Sequence, residues 1–196
     1  MKNKLDIFIS FFATAVFTMT LSFTACKQDP QKQEPKVIAE NKNEFKFDDT
    51  KEDDAKFLVD VASFNLEQAE LGKLAALKSI RPEVKEFAKM MEAAHSTKIK
   101  DLNEFVALKQ ISVPVSLTDD NKEVYNNLNK EYVDDFDRQY LHQLIEKHTE
   151  AIEDYTSQVR KTSDVTLKKW TQIELASLRE HLDGAMTLQS KLIKKK

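Results

Sequence analysis

From Asp54 onward, apolar residues recur at intervals of three and four, the spacing of a helix that buries one stripe and solvates the rest. The first such stretch carries Phe57, Val61, Phe64, Leu71 and Ala75, with Leu58, Ala62, Leu66, Ala69 and Ala76 beside them. At 100° per residue, its polar arc holds Lys56, Asp60, Ser63, Glu67 and Glu70. The pattern predicts a helix over Asp54 to Ser79. A second helix opens at Pro82, a residue suited to a first turn, with Glu83 complementing the positive end. Its inward face holds Val84, Phe87, Ala88, Met91, His95, Leu102 and Phe105.

The rhythm breaks between Ile111 and Leu117, around Pro114, where the chain reads as extended. Thr118 then offers a cap for a short helix from Asp119 to about Asn129. A third long helix runs from Val133 to Val159, with Leu141, Leu144, His148, Ala151, Ile152 and Tyr155 inward. Ser163 or Asp164 caps a fourth, which reaches Ile193 through Leu167, Leu178, His181, Ala185 and Leu188. Four long amphipathic helices bury their stripes most economically against one another, which predicts an all-α, four-helix bundle. Short links join the first pair and the last pair, as in antiparallel hairpins. The longer link between the second and third helices carries the short extra helix and permits a crossover of the ferritin-like kind.

The first 53 residues read differently. Lys2 and Lys4 precede an uncharged apolar run from Ile7 to Phe23, the layout of a secretory signal. The run ends in Phe23-Thr24-Ala25-Cys26, which resembles a bacterial lipobox with Phe23 in place of the usual Leu. Residues 1–25 are thus expected to be a lipoprotein signal peptide, and Cys26 the point of lipidation. One acyl chain holds a membrane only marginally, whereas two or three anchor it stably. Residues 27–52 are mostly Lys, Gln, Asp, Glu and Asn with Pro30 and Pro35, so residues 26–53 are expected to form a lipidated, solvated tether. Such a tether holds the folded part, residues 54–193, roughly 25–30 Å from the lipid.

Composition agrees with helices. Only two Gly and four Pro occur in 196 residues, too few for the regular turns of an all-β fold. The formal charge of −3 leaves no basic footprint for nucleic acid. Cys26 is the only cysteine, so no internal disulfide forms. The chain has no internal repeat, Gly-rich phosphate loop, serine or cysteine nucleophile motif, or paired CxxC. No complete catalytic constellation is legible, which favours a non-catalytic protein over an enzyme.

The four histidines carry the remaining chemistry. His142 falls on a polar arc, whereas His95, His148 and His181 each lie near the centre of an apolar stripe and near the midpoint of their helices. At about 1.5 Å rise per residue, midpoints of packed helices share one layer. Gln68 on the first helix and Glu174 on the fourth also point inward. One reading is a transition-metal site for zinc, iron or copper, held by His95, His148 and His181 and completed by Gln68, Glu174 or water. The other is a buried polar network in which the rings bond one another, Tyr140 or Tyr155, and Gln68. A di-iron centre is disfavoured. It draws on inward Glu residues and paired Glu-x-x-His motifs, and only Glu92-Ala93-Ala94-His95 has that spacing. Asp137, near the start of the third long helix, complements its macrodipole. Trp170 reads as packing, and Lys194, Lys195 and Lys196 complement a helix end.

The run Asn65-Leu66-Glu67-Gln68-Ala69-Glu70-Leu71-Gly72-Lys73-Leu74-Ala75, followed by Met90-Met91-Glu92-Ala93-Ala94-His95, resembles the domain-of-unknown-function family DUF4142. So do Phe136-Asp137-Arg138-Gln139-Tyr140, His148, Asp164 and Leu178-Arg179-Glu180-His181-Leu182. The resemblance covers roughly residues 54–190 and implies a ferritin-like bundle exported by bacteria, often as a lipoprotein, with no established activity. Gln68, Ala94 and Ala176 depart from it, standing where an acid, an Asp and a Pro are common. Together these readings lead to the expectation of a membrane-anchored envelope lipoprotein, outer-membrane bound, with a binding or stress-related role. The alternative is a ferritin-like protein that handles a metal or an oxidant at its inward histidines. The expected partner is the membrane, through Cys26, and the sequence identifies no protein partner.

Overall fold

The computed structural model describes residues 33–194. The signal segment and Cys26 lie outside the described residues. Six helices and no strand occur among those described: α1 Pro35–Glu44, α2 Asp49–Lys78, α3 Pro82–Lys109, α4 Asp119–Lys130, α5 Val133–Lys161 and α6 Val165–Lys194. The all-α expectation holds, with two short helices rather than the one foreseen. No helix among the described residues is long and apolar enough to cross a membrane.

Helix limits follow from local chemistry. Asp48 accepts from the Lys51 N–H at 3.3 Å and starts α2 five residues before the apolar stripe begins. Pro82 opens α3, and the Thr118 hydroxyl caps α4 through the Asn121 N–H at 3.1 Å. Asp164 caps α6, taking the N–H groups of Thr166 and Leu167 at 2.8 and 3.0 Å. α3 ends at Gln110, which adopts the left-handed conformation (φ 57°) so that its N–H reaches the last carbonyls of the helix.

α2 and α3 form one hairpin, α5 and α6 another; α2 lies against α5, and α3 against α6. Gly72 sets the approach within the first hairpin. A Cβ there would stand 2.8 Å from the Glu92 nitrogen and 3.0 Å from the Ala88 oxygen, both backbone atoms with no freedom to give way.

The apolar core falls into two clusters. One gathers Leu71, Met91, Phe136, Leu144 and Ala185 with their neighbours. The other gathers Leu58, Leu102, Ala151, Tyr155 and Leu178 with theirs. Between them in sequence, on all four long helices, come buried polar residues: Asn65 and Gln68 on α2, His95 on α3, His148 on α5 and His181 on α6. The histidine layer divides the core.

α1 corrects the tether reading. Residues 35–44 form a helix packed on α2, not a solvated spacer. Pro35 pre-sets its first turn, and Ala39 is buried. Asn43 anchors its end by exchanging two hydrogen bonds with the Ser112 backbone, both 2.8 Å. Lys36 pairs with Asp60 at 2.6 Å. Side-chain bonds to a neighbouring loop supply what the polar composition lacks in apolar area.

Replacing Gly72 with Ala is expected to lower thermal stability by about 1–3 kcal/mol, since overpacking outweighs the better helix propensity of Ala. Thermal melts followed by circular dichroism check this; an unchanged or higher melting temperature would refute the close approach.

Candidate metal site

Each histidine reaches the centre from its own helix. His95 and His148 are fully buried and His181 is 6% exposed. Their ring centroids stand 5.2–5.6 Å apart, and one ring nitrogen from each lies within 4.8 Å of the others. No other group of three His, Cys, Asp or Glu side chains converges in this way among the described residues.

Hydrogen bonds on the outer nitrogens orient two of the rings. His95 Nδ1 stands 2.8 Å from Asn65 Oδ1, while the Asn65 amide donates to the Val61 carbonyl at 2.8 Å. The amide thus presents only an acceptor, so His95 carries its proton on Nδ1 and a lone pair on Nε2. His148 Nδ1 faces the Leu144 carbonyl at 2.9 Å, with the same consequence. Neither Nε2, nor Nδ1 of His181, has a hydrogen-bond partner. For His95 and His148, a buried, unprotonated Nε2 with an acceptor behind the ring is the arrangement by which proteins orient imidazole ligands.

Electrostatics keeps the rings neutral. Burial drives His95 well below its ordinary pKa, aided by His148, His181 and Lys98. Burial and His181 lower His148 to about 3, against the opposing bond to Leu144. Burial, then Lys98, lowers His181 to about 4. A neutral imidazole is the form that binds metal, so ligation near pH 7 requires no deprotonation.

The other sequence candidates fare differently. Glu174 is buried but ion-paired with Lys98, and it stands outside the histidine cluster. Gln68 is buried with its Nε2 unpaired, and no hydrogen bond ties it to the rings. The ring-bonding partner on α2 is Asn65, which pattern reading passed over although an Asn inside a helix is a poor former that calls for a side-chain partner. Tyr140, read as a network member, has a buried hydroxyl without a partner. His142 is exposed, and Trp170 stacks on Phe105 at 5.2 Å, as packing. Asp137 is buried, with Arg81 Nε 3.9 Å from its carboxylate.

Glu67 is a correction. Its place on the polar arc of α2 implied solvent, yet it is only 4% exposed and its Oε1 has no hydrogen-bond partner. Burial pushes its carboxyl up to about 7, against the pull of Lys147 and with a further push from Glu150. α2 packs on α1, α3, α4 and α5, which leaves it a narrower wet face than a helix packed on one side.

Phe64 also belongs to the site. Its ring meets those of His95 and His148 edge-on, at 5.4 and 5.2 Å. It also lines a groove of about 610 Å³ between α2 and α5, together with Glu67.

A family model described as Domain of unknown function (DUF4142) matches residues 42–188. No curated protein matches. No solved structure matches either.

Two pH effects follow for the metal-free protein. The histidine pKa values are depressed on folding, so their neutral-state stability is complete above about 6.5, the unfolded value, and drains away as pH falls towards about 4 and then about 3. Melting temperature in chelator should drop over that window, and a flat profile would contradict buried neutral rings. Glu67 acts in the opposite sense: its raised pKa destabilises the fold as pH rises from about 4.5 to about 7. Glu67→Gln should therefore melt higher than wild type at pH 7.5 and match it below pH 4.5.

Proposed function

We propose that this chain, which belongs to the DUF4142 family, is an exported envelope lipoprotein whose helices enclose a three-histidine site for one transition-metal ion. The observation that carries the reading is the convergence of three buried histidines from three helices, one ring nitrogen of each within 4.8 Å of the others, with one nitrogen of each ring left without a hydrogen-bond partner. We read the paired hairpins as a four-helix, ferritin-like bundle in which α4 occupies the long connection between the second and third long helices. The lipid anchor rests on the sequence: a basic start, an apolar run and a lipobox-like Phe23-Thr24-Ala25-Cys26.

The donor set fits such an ion. Imidazole suits zinc, copper and iron, and neutral rings let a divalent charge enter without meeting a fixed positive ligand. His95, His148 and His181 would hold it, with Asn65 and the Leu144 carbonyl fixing two of the rings from behind. The ion would supply Lewis acidity, or redox chemistry if it is iron or copper. The protein supplies a dry, neutral cage and keeps the lone pairs of His95 and His148 aimed away from their backing acceptors.

A second reading has an observation of its own. The rings pack against each other and Phe64 with almost no exposure, as an aromatic cluster does. The layer would then be a structural core in a non-catalytic binding or stress-related lipoprotein.

Metal loading separates the two. Purified, chelator-washed chain offered zinc, iron(II) or copper(II) should retain about one ion by elemental analysis. At a hundredfold excess over Kd, the ion should add about 2.7 kcal/mol of stability. His148→Ala should abolish retention and shift. If no ion is retained and no melt moves, the metal reading fails. A His148→Leu variant more stable than wild type would then favour the structural core.

A further inference from the structure

Resting on the three-histidine reading above, we propose that the groove between α2 and α5 is an outer binding site for divalent cations, centred on Glu67, from which the histidine layer is loaded past the Phe64 ring. An ion bound for this layer has to cross side-chain packing, because two of the rings are wholly buried and the third nearly so. The question is where the wall is thinnest.

On the α2–α5 side, one residue, Phe64, belongs both to the groove lining and to the ring cluster. Phe64 lines the groove and also packs T-shaped against His95 and His148, with ring centroids 5.4 and 5.2 Å away. One helical turn along, Glu67 lines the same groove with a buried Oε1 that nothing in the fold satisfies. A buried carboxylate oxygen without a donor is costly, and a cation is the ligand that relieves it. Around it the groove walls carry five further carboxylates against four lysines. Several are already spoken for: Glu150 by Lys147 and Asp60 by Lys36. The excess is negative and the walls are close, conditions that concentrate a divalent cation.

The α3–α6 side is less favourable. A shallower groove there is lined by Met90, Ala94, Lys98 and Glu174, and the Lys98–Glu174 ion pair lies across it. A cation taking that path meets an ammonium and must part it from its carboxylate. The α2–α5 path asks only for a ring to swing, a motion that buried aromatic side chains make without unfolding their helix.

Phe64 then limits the rate in both directions, while Glu67 raises the local concentration of ions at the threshold. The test uses the chain mixed with cobalt(II) chloride in stopped flow, reading the visible band that appears when nitrogen ligands surround the ion. Phe64→Ala should speed uptake and chelator-driven release together, each by about tenfold or more. Phe64→Leu, the safer substitution for folding, should do so to a lesser degree. Glu67→Gln should slow uptake by about tenfold, within the range that charged clefts contribute to association. Raised ionic strength should slow wild-type uptake more than that of the Gln variant. Rates unchanged within about twofold in Phe64→Leu and Glu67→Gln, with the band intact, would overturn the route and leave the metal site standing. Absence of the band in wild type would overturn the site itself, and the route with it.

Discussion

An imidazole nitrogen buried without a hydrogen-bond partner costs about 1–3 kcal/mol, and three such nitrogens sit together in this fold. Two of the rings, His95 and His148, are pinned from behind. The Asn65 amide and the Leu144 carbonyl each hold an Nδ1–H, which fixes the tautomer and sends the free lone pair inward. The Asn65 amide nitrogen donates to the Val61 carbonyl, so turning it towards His95 would break that bond. At His95 and His148 the layer is preorganised towards something that accepts lone pairs, and a proton is a poor candidate in so dry a place.

The rest of the molecule supports that layer. Apolar clusters flank it on both sides, one around Phe136 and Leu144, the other around Leu58 and Tyr155. Both are needed, since each long helix passes through the layer and must be clamped on either side of it. Gly72 lets α2 and α3 touch backbones. Lys109 bonds Asp164 and Thr166, tying the end of α3 to the start of α6. The unmet oxygen of Glu67 and the raised pKa of its carboxyl mark a place where stability yields to another demand.

Much of this was legible in the sequence, for physical reasons that differ by residue. His95, His148 and His181 could be placed because helical phase puts each on an apolar stripe, and equal depth follows from position along helices of similar length. Thr118 announced one helix start through side-chain chemistry alone, and Ser163 or Asp164 another, of which Asp164 is the cap. Glu67 could not be placed, because a phase wheel assumes one buried face and α2 is packed on several sides. Glu174 was correctly turned inward, yet its engagement by Lys98 depends on a residue 76 positions away. α1 was hidden by its polar composition: what folds it is Asn43 meeting the Ser112 backbone, again a contact between segments distant in sequence.

The claim under all of this is that three neutral rings direct bare nitrogens at one point. Long-range proton–nitrogen correlation spectra of the histidine rings in metal-free protein at pH 7 test it most directly. His95 and His148 should appear as neutral tautomers protonated on Nδ1, and their Nε2 signals should shift when zinc is added. A charged ring, or protons found on Nε2 of those two residues, would contradict it.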